Sequence, residues 1–232
     1  MEWLNLPNHI ENKPLREQIL EILCDAIVNG DIRPGQALVE ADLATQLGVS
    51  RAPVREALQI LNRDGLLETV PYHGTTVRKL TRTDIEELYS LRSVLESFAI
   101  RRVIALDNPA DVLRLRECFQ VMLTAAEADD LKQLNEADRN FHDAIIECSN
   151  HRMLWSVWRG VSLQVRQVMA LRNMRFSELK DIAYNHLAII EAIAEGNETQ
   201  AVELIQAHVA SVGDQMAEVW DIMSEDEKAE ND

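Results

Sequence analysis

Apolar residues recur at three- and four-residue steps along most of the chain, which predicts helix after helix. Leu15, Ile19, Ile22, Leu23, Ala26 and Ile27 share one helical face. Pro14 suits the start of that helix and Asn29-Gly30 its end. Leu43, Ala44 and Leu47 predict a short second helix from Glu40, closed by Gly48 in a left-handed conformation. Val49 fills the turn and Ser50 suits the N-cap of a third helix. Pro53 is tolerated in its first turn, where amides have no intrahelical partner. Val54, Ala57, Leu58 and Leu61 form its apolar stripe. After Gly65, Leu67 to Val70 and Thr75 to Arg78 are β-prone around a Pro71 to Gly74 turn, which predicts a hairpin. Two short helices across a tight turn, then a hairpin, describe a winged helix-turn-helix.

Residues 78–83 read as a polar link. Thr81 and Asp84 then make a capping box, and helical spacing continues to about Met223. Breaks fall near Asp107-Asn108-Pro109, Glu127 to Asp130, Ser149-Asn150, Arg175 to Ser177 and Gly196-Asn197. The predicted fold is mainly α. An N-terminal winged helix-turn-helix (three helices plus a small β-hairpin) precedes an all-α antiparallel helical bundle. The predicted domains are 1–79 for DNA binding and 80–223 for metal and effector binding and dimerisation. The acidic tail 224–232 has almost no apolar groups and is predicted disordered. Residues 1–12 lack a pattern and read as a loose arm.

Composition changes this picture little. Apolar residues make up 47% of 232, ample for packed cores, and the 8 glycines are few for an all-β fold. Cys24, Cys118 and Cys148 are far apart, so neither a disulfide framework nor a thiolate metal site is indicated. They read as buried apolar residues in a reducing cytosol. No apolar run is long enough to span a bilayer and no signal peptide is recognisable, so a cytoplasmic protein without a membrane partner is expected.

Charge matters more. The net charge is −16. Residues 1–80 hold 8 Lys and Arg against 11 Asp and Glu, a net of −3, and residues 81–232 carry the remaining −13. A DNA-binding domain is usually basic. Here the cations are concentrated instead: Arg51, Arg55, Arg63, Arg78 and Lys79 fall in the third helix and the wing. Arg51 and Arg55 lie four residues apart, near a helix N-terminus and off the apolar stripe. Two forked guanidiniums there suit phosphates and guanine edges in a major groove. The plain alternative is a solvated helix face. Gly74 can either let backbone approach DNA or simply serve the turn.

The helical half holds a second signal. Asp138 sits on the stripe Leu131, Leu134, Phe141, Ile145, with His142 one turn beyond. His186 interrupts Ile182, Ile189, Ile193, and His208 interrupts Ala201, Ile205, Val212. One carboxylate and three imidazoles directed inward make a candidate site for a divalent transition metal: zinc first, with nickel or manganese as alternatives. Against this, a lone core histidine is usually a hydrogen-bonded packing residue. Arg92 lies on the stripe Ile85, Leu88, Leu95, Ala99. A buried guanidinium needs an anion, either Glu96 on the next turn or a ligand carboxylate. Arg166 is a weaker candidate of the same kind.

The stretch Leu47-Gly48-Val49-Ser50-Arg51-Ala52-Pro53-Val54-Arg55-Glu56-Ala57-Leu58 resembles the signature of GntR-type bacterial transcription regulators. Asp64-Gly65-Leu66-Leu67 with Pro71-Tyr72-His73-Gly74 is similar to that family's wing. The resemblance implies DNA contacts from Ser50, Arg51, Ala52, Arg55, His73 and Gly74. One departure is Ala41, where many relatives carry a basic residue. The helical half resembles the FCD ligand-binding domain of the FadR-type branch. Leu91-Arg92 with Leu95-Glu96 looks like its opening motif, Ser149-Asn150 also fits, and Asp138, His142, His186 and His208 match its metal-ligand positions. The resemblance implies a homodimer on palindromic double-stranded operator DNA. It also implies a repressor controlled by a small carboxylate or sugar-acid effector at the metal, near Arg92 and Arg166. A metal-dependent hydrolase or isomerase using the same cluster is the alternative, weakened by the lack of a separate general base.

Overall fold

The computed structural model describes residues 13–28, 30–70, 74–172 and 179–231, with side chains at all of these except 70, 170–172, 179–182 and 222–231. The chain divides into two compact units, Met1–Leu80 and Thr81–Asp232.

In the first unit α1 (Leu15–Val28) and α2 (Glu40–Leu47) both pack on α3 (Arg51–Arg63). The shared core takes Ile19, Leu23 and Ile27 from α1, Leu43 from α2, and Val54, Leu58 and Leu61 from α3. Gly48 ends α2 with φ 67°, and its amide and its successor's bond back to Thr45 and Ala44. That reversal needs a residue tolerant of positive φ. The wing is larger than a hairpin. Strands β1 (Ala37–Leu38), β2 (Leu67–Val70) and β3 (Gly74–Val77) form an antiparallel sheet in the order β1-β3-β2. β1 has two residues, too short for a period-two signal. The turn residues 71–73, His73 among them, lie outside the described residues.

The second unit is a helical bundle of α4 (Arg82–Leu106), α5 (Pro109–Glu127), α6 (Leu131–Cys148), α7 (Arg152–Arg172), α8 (Leu179–Ala194) and α9 (Glu198–Asn231). The Thr81–Asp84 capping box is formed. Asn108, Asp130 and Asn197 each accept a backbone amide at the next helix start. The predicted break at Arg175 to Ser177 lies outside the described residues. Helix α4 packs on α6, α7, α8 and α9, and α5 on α6 and α8. One expectation needs correcting: α9 continues to Asn231, through the acidic tail predicted disordered. Five of that tail's nine residues are Glu, Lys or Ala and none is Gly or Pro, so its composition lets a helix already nucleated by packing run on.

The α4–α9 contact is close at Gly213. A Cβ placed there would stand 2.9 Å from Tyr89 Cβ. Both residues are buried, so neither side can move away cheaply. Gly213→Ala is expected to destabilise the bundle by about 1–3 kcal/mol, read as a lower urea midpoint at unchanged slope.

Candidate metal centre and DNA-reading helix

Ser50, Arg51, Ala52 and Arg55 are all exposed around the first turn of α3. Ser50 has the extended backbone of an N-cap, but its side chain makes no capping bond. The cap suggested by residue type is therefore positional only, and no side chain at the cap covers the first-turn amides. Such a helix start suits a phosphate oxygen. Arg55 Nε donates to both carboxylate oxygens of Glu40, at 3.1 and 3.0 Å, and Nη2 lies 3.0 Å from Oε2. Helix α2 thus orients the guanidinium of α3, a link fifteen residues long that sequence reasoning missed. Arg63 pairs with Asp64 at 3.1 Å. Gly74 opens β3 with φ 85°, and a Cβ there would meet open space. Conformation, not crowding within the chain, requires this glycine.

In the bundle, Asp138 and His142 lie one turn apart on α6, His186 comes from α8 and His208 from α9. Asp138, His142 and His186 are buried and His208 partly so. One donor atom from each falls within 4.8 Å of all the others. Two donors about 2.1 Å from one ion stand at most about 4.2 Å apart, so the set must draw together to close on an ion. The rings are packed together: His186 and His208 have centroids 4.5 Å apart, and His142 stacks on His208 at 5.3 Å. Phe141 walls the site edge-on to His186, centroids 4.8 Å apart. His186 Nε2 lies 3.2 Å from Asp138 Oδ1. His142 Nε2 is buried with no hydrogen-bond partner, a costly state for a ring nitrogen unless something occupies it.

Electrostatics favour the protonation states an ion needs. Burial, then Arg92, pushes the His142 pKa down. Burial, then His186 and His142, pushes that of His208 well down. Burial alone would raise the Asp138 pKa, but the His186 hydrogen bond and nearby positive charge hold it far below the usual range. These shifts favour neutral imidazoles at His142 and His208 beside an ionised Asp138, a combination suited to a divalent cation.

Arg92 is 2% exposed and its Nε donates to Glu96 Oε1 at 2.6 Å. Of the two anions weighed for it, the neighbouring carboxylate is the one present. Glu96 also reaches His142 Nδ1 through Oε2, at 2.5 Å. Burial would raise the Glu96 pKa, yet His142 and Arg92 together bring it down to about 2. This link to His142 was invisible in the sequence, because the two residues are 46 positions apart. Arg166 is half-buried on α7, which packs on α4, α6 and α9.

Residues 15–77 match the gntR family of bacterial regulatory proteins, and residues 87–211 match the FCD domain. The chain belongs to the GntR family, with an FCD domain. This GntR-family protein is 30% identical over 194 residues to the "Probable D-xylose utilization operon transcriptional repressor" of Paenarthrobacter nicotinovorans, covering 84% of this chain and 85% of the relative. It is 28% identical to the gluconate operon transcriptional repressor of Bacillus subtilis, covering 84% and 82%. A GntR regulator from Rhodococcus sp. RHA1 superposes with a TM-score of 0.74 at 30% identity, covering 87% of this chain and 96% of that one. The protein is a DNA-binding transcriptional repressor of this family. The relatives are transcription regulators, which tells against the hydrolase or isomerase alternative. Among the described residues no helix is long and apolar enough to cross a membrane.

Proposed function

We propose that this repressor works in the cytoplasm as a homodimer on a palindromic operator, and that a small carboxylate or sugar acid controls its grip on DNA. The acid binds at a divalent transition metal, zinc first, with nickel or manganese as alternatives, held by Asp138, His142, His186 and His208. Ser50, Arg51, Ala52, Arg55, His73 and Gly74 meet the DNA, while Arg92 and Arg166 face the effector. The observation that carries the reading is the donor set itself: four ligand atoms from three helices within 4.8 Å, one of them a buried nitrogen without a partner.

When bound, such an ion supplies Lewis-acid positions that a carboxylate can fill. The bundle's own residues bury the site, lower the pKa of His142 and His208, and hold a guanidinium beside them. Effector binding releases the operator if the acid favours the bundle arrangement with lower DNA affinity. Two relatives named for xylose and gluconate operons support a sugar or sugar acid as the effector class. An exposed apolar stripe supports the dimer. Leu91, Val94 and Phe98 line one face of α4 beside Met153, 76% exposed, and Val157 on α7. Phe98 meets His151, just before α7, edge-on with ring centroids 5.4 Å apart, which brings the exposed face of α4 to the start of α7.

The test is a thermal-shift screen against small carboxylates and sugar acids, with and without chelator. One acid is expected to raise the melting temperature of the metal-loaded protein and to lose that effect when the metal is removed. A chelator-sensitive melt with no response to any acid would make the metal structural and remove the effector from this site.

A further inference from the structure

We propose that Glu96 is the positioning residue of the metal centre: it fixes the His142 ring so that Nε2 faces the ion, and Arg92 fixes Glu96 in turn. This rests on the metal reading of the cluster. A carboxylate can only accept hydrogen bonds, and a neutral imidazole carries one N–H. The 2.5 Å contact between Glu96 Oε2 and His142 Nδ1 therefore places that proton on Nδ1. Nε2 is left with a bare lone pair, and it is the buried nitrogen that has no partner. The other oxygen, Oε1, takes the Arg92 Nε–H at 2.6 Å. Each carboxylate oxygen thus has one buried partner, and Glu96 is 0% exposed. A lone buried carboxylate would be strongly unfavourable; this one is matched on both oxygens.

The consequence reaches past one ring. His142 stacks on His208 with an interplanar angle of 21°, so the plane that Glu96 sets for His142 also constrains a second ligand. The ligands come from α6, α8 and α9, whereas Glu96 and Arg92 come from α4, which supplies none. Glu96 therefore ties α4 to the ion. A carboxylate behind a metal-bound histidine raises the ring's basicity and fixes its tautomer, and removing such a partner costs about 10–100-fold in metal affinity. A purely structural Arg92–Glu96 pair would leave metal affinity unchanged.

The experiment uses the full chain. Zinc affinity is measured by competition with a chromogenic chelator for the parent, for E96Q and for the double variant Arg92→Leu with Glu96→Leu. The double variant removes both buried charges together and so protects folding if E96Q alone disturbs it. The ring 15N shifts of His142 are recorded in the metal-free parent. The expected result is about 10–100-fold weaker zinc binding in both variants with the fold retained, and Nδ1 protonated with Nε2 bare in the parent. Variants that bind zinc as tightly as the parent, or an unprotonated Nδ1 in the parent, would overturn the role of Glu96 alone. A parent that takes up no zinc would overturn the metal reading and this inference with it.

Discussion

On the proposed metal reading, chelator added to the purified protein is expected to lower the melting temperature of the α4–α9 bundle by about 10 °C. An ion present at about a thousand times its dissociation constant stabilises the native state by about 4 kcal/mol, because only the folded chain assembles the four donors. In a unit of this size each kcal/mol moves the midpoint by about 2–4 °C. His208→Ala isolates the effect. His208 is partly exposed and contributes one donor, so its truncation removes a ligand without leaving a charge buried alone. The variant is expected to melt near the metal-free parent and to show little further loss with chelator. Asp138→Ala would be a poorer probe, because it also breaks the contact to His186. If chelator leaves the parent's midpoint unchanged and His208→Ala melts with it, the cluster is hydrogen-bonded packing and not a metal centre.

What the sequence revealed and what it hid follow from the range of the interactions. The helix-turn-helix is written in local signals, an apolar period, a glycine stop and a capping position within about twenty residues, and local signals survive without tertiary knowledge. The donor set was readable because Asp138, His142, His186 and His208 each sit where a helical period calls for an apolar residue. Polar groups in such places need a reason. The Arg92–Glu96 pair was readable as a neighbour one turn away. By contrast, the Glu96–His142 and Glu40–Arg55 contacts join positions 46 and 15 apart, and no periodicity encodes them. Strand β1 was hidden for a different reason: its two residues gain their strand character from pairing with β3, not from their own pattern. In the tail, low hydrophobicity pointed to disorder, but helix propensity and continuity with the packed part of α9 carried the helix on.

Replacing Arg55 by alanine is expected to weaken specific operator binding by about 5- to 150-fold, the equivalent of 1–3 kcal/mol for a guanidinium that reads a base edge. Arg51→Ala is expected to fall in the same range or to act uniformly on all DNA, depending on whether it meets a base or a phosphate. The salt slope separates the two, since a lost phosphate contact lowers it by about one. Residues 1–80 carry a net charge of −3, so each cation in the reader helix works against an unfavourable background and its removal is poorly compensated. Glu40 supplies the internal control. Its carboxylate holds the Arg55 fork from α2, so Glu40→Ala should free the side chain while also removing a negative charge beside the start of α3. Non-specific binding should then strengthen while the ratio of specific to non-specific affinity falls. If Arg55→Ala binds operator as tightly as the parent across a salt series, α3 is not the reader, and the exposed pair with Glu40 is only a surface ion pair.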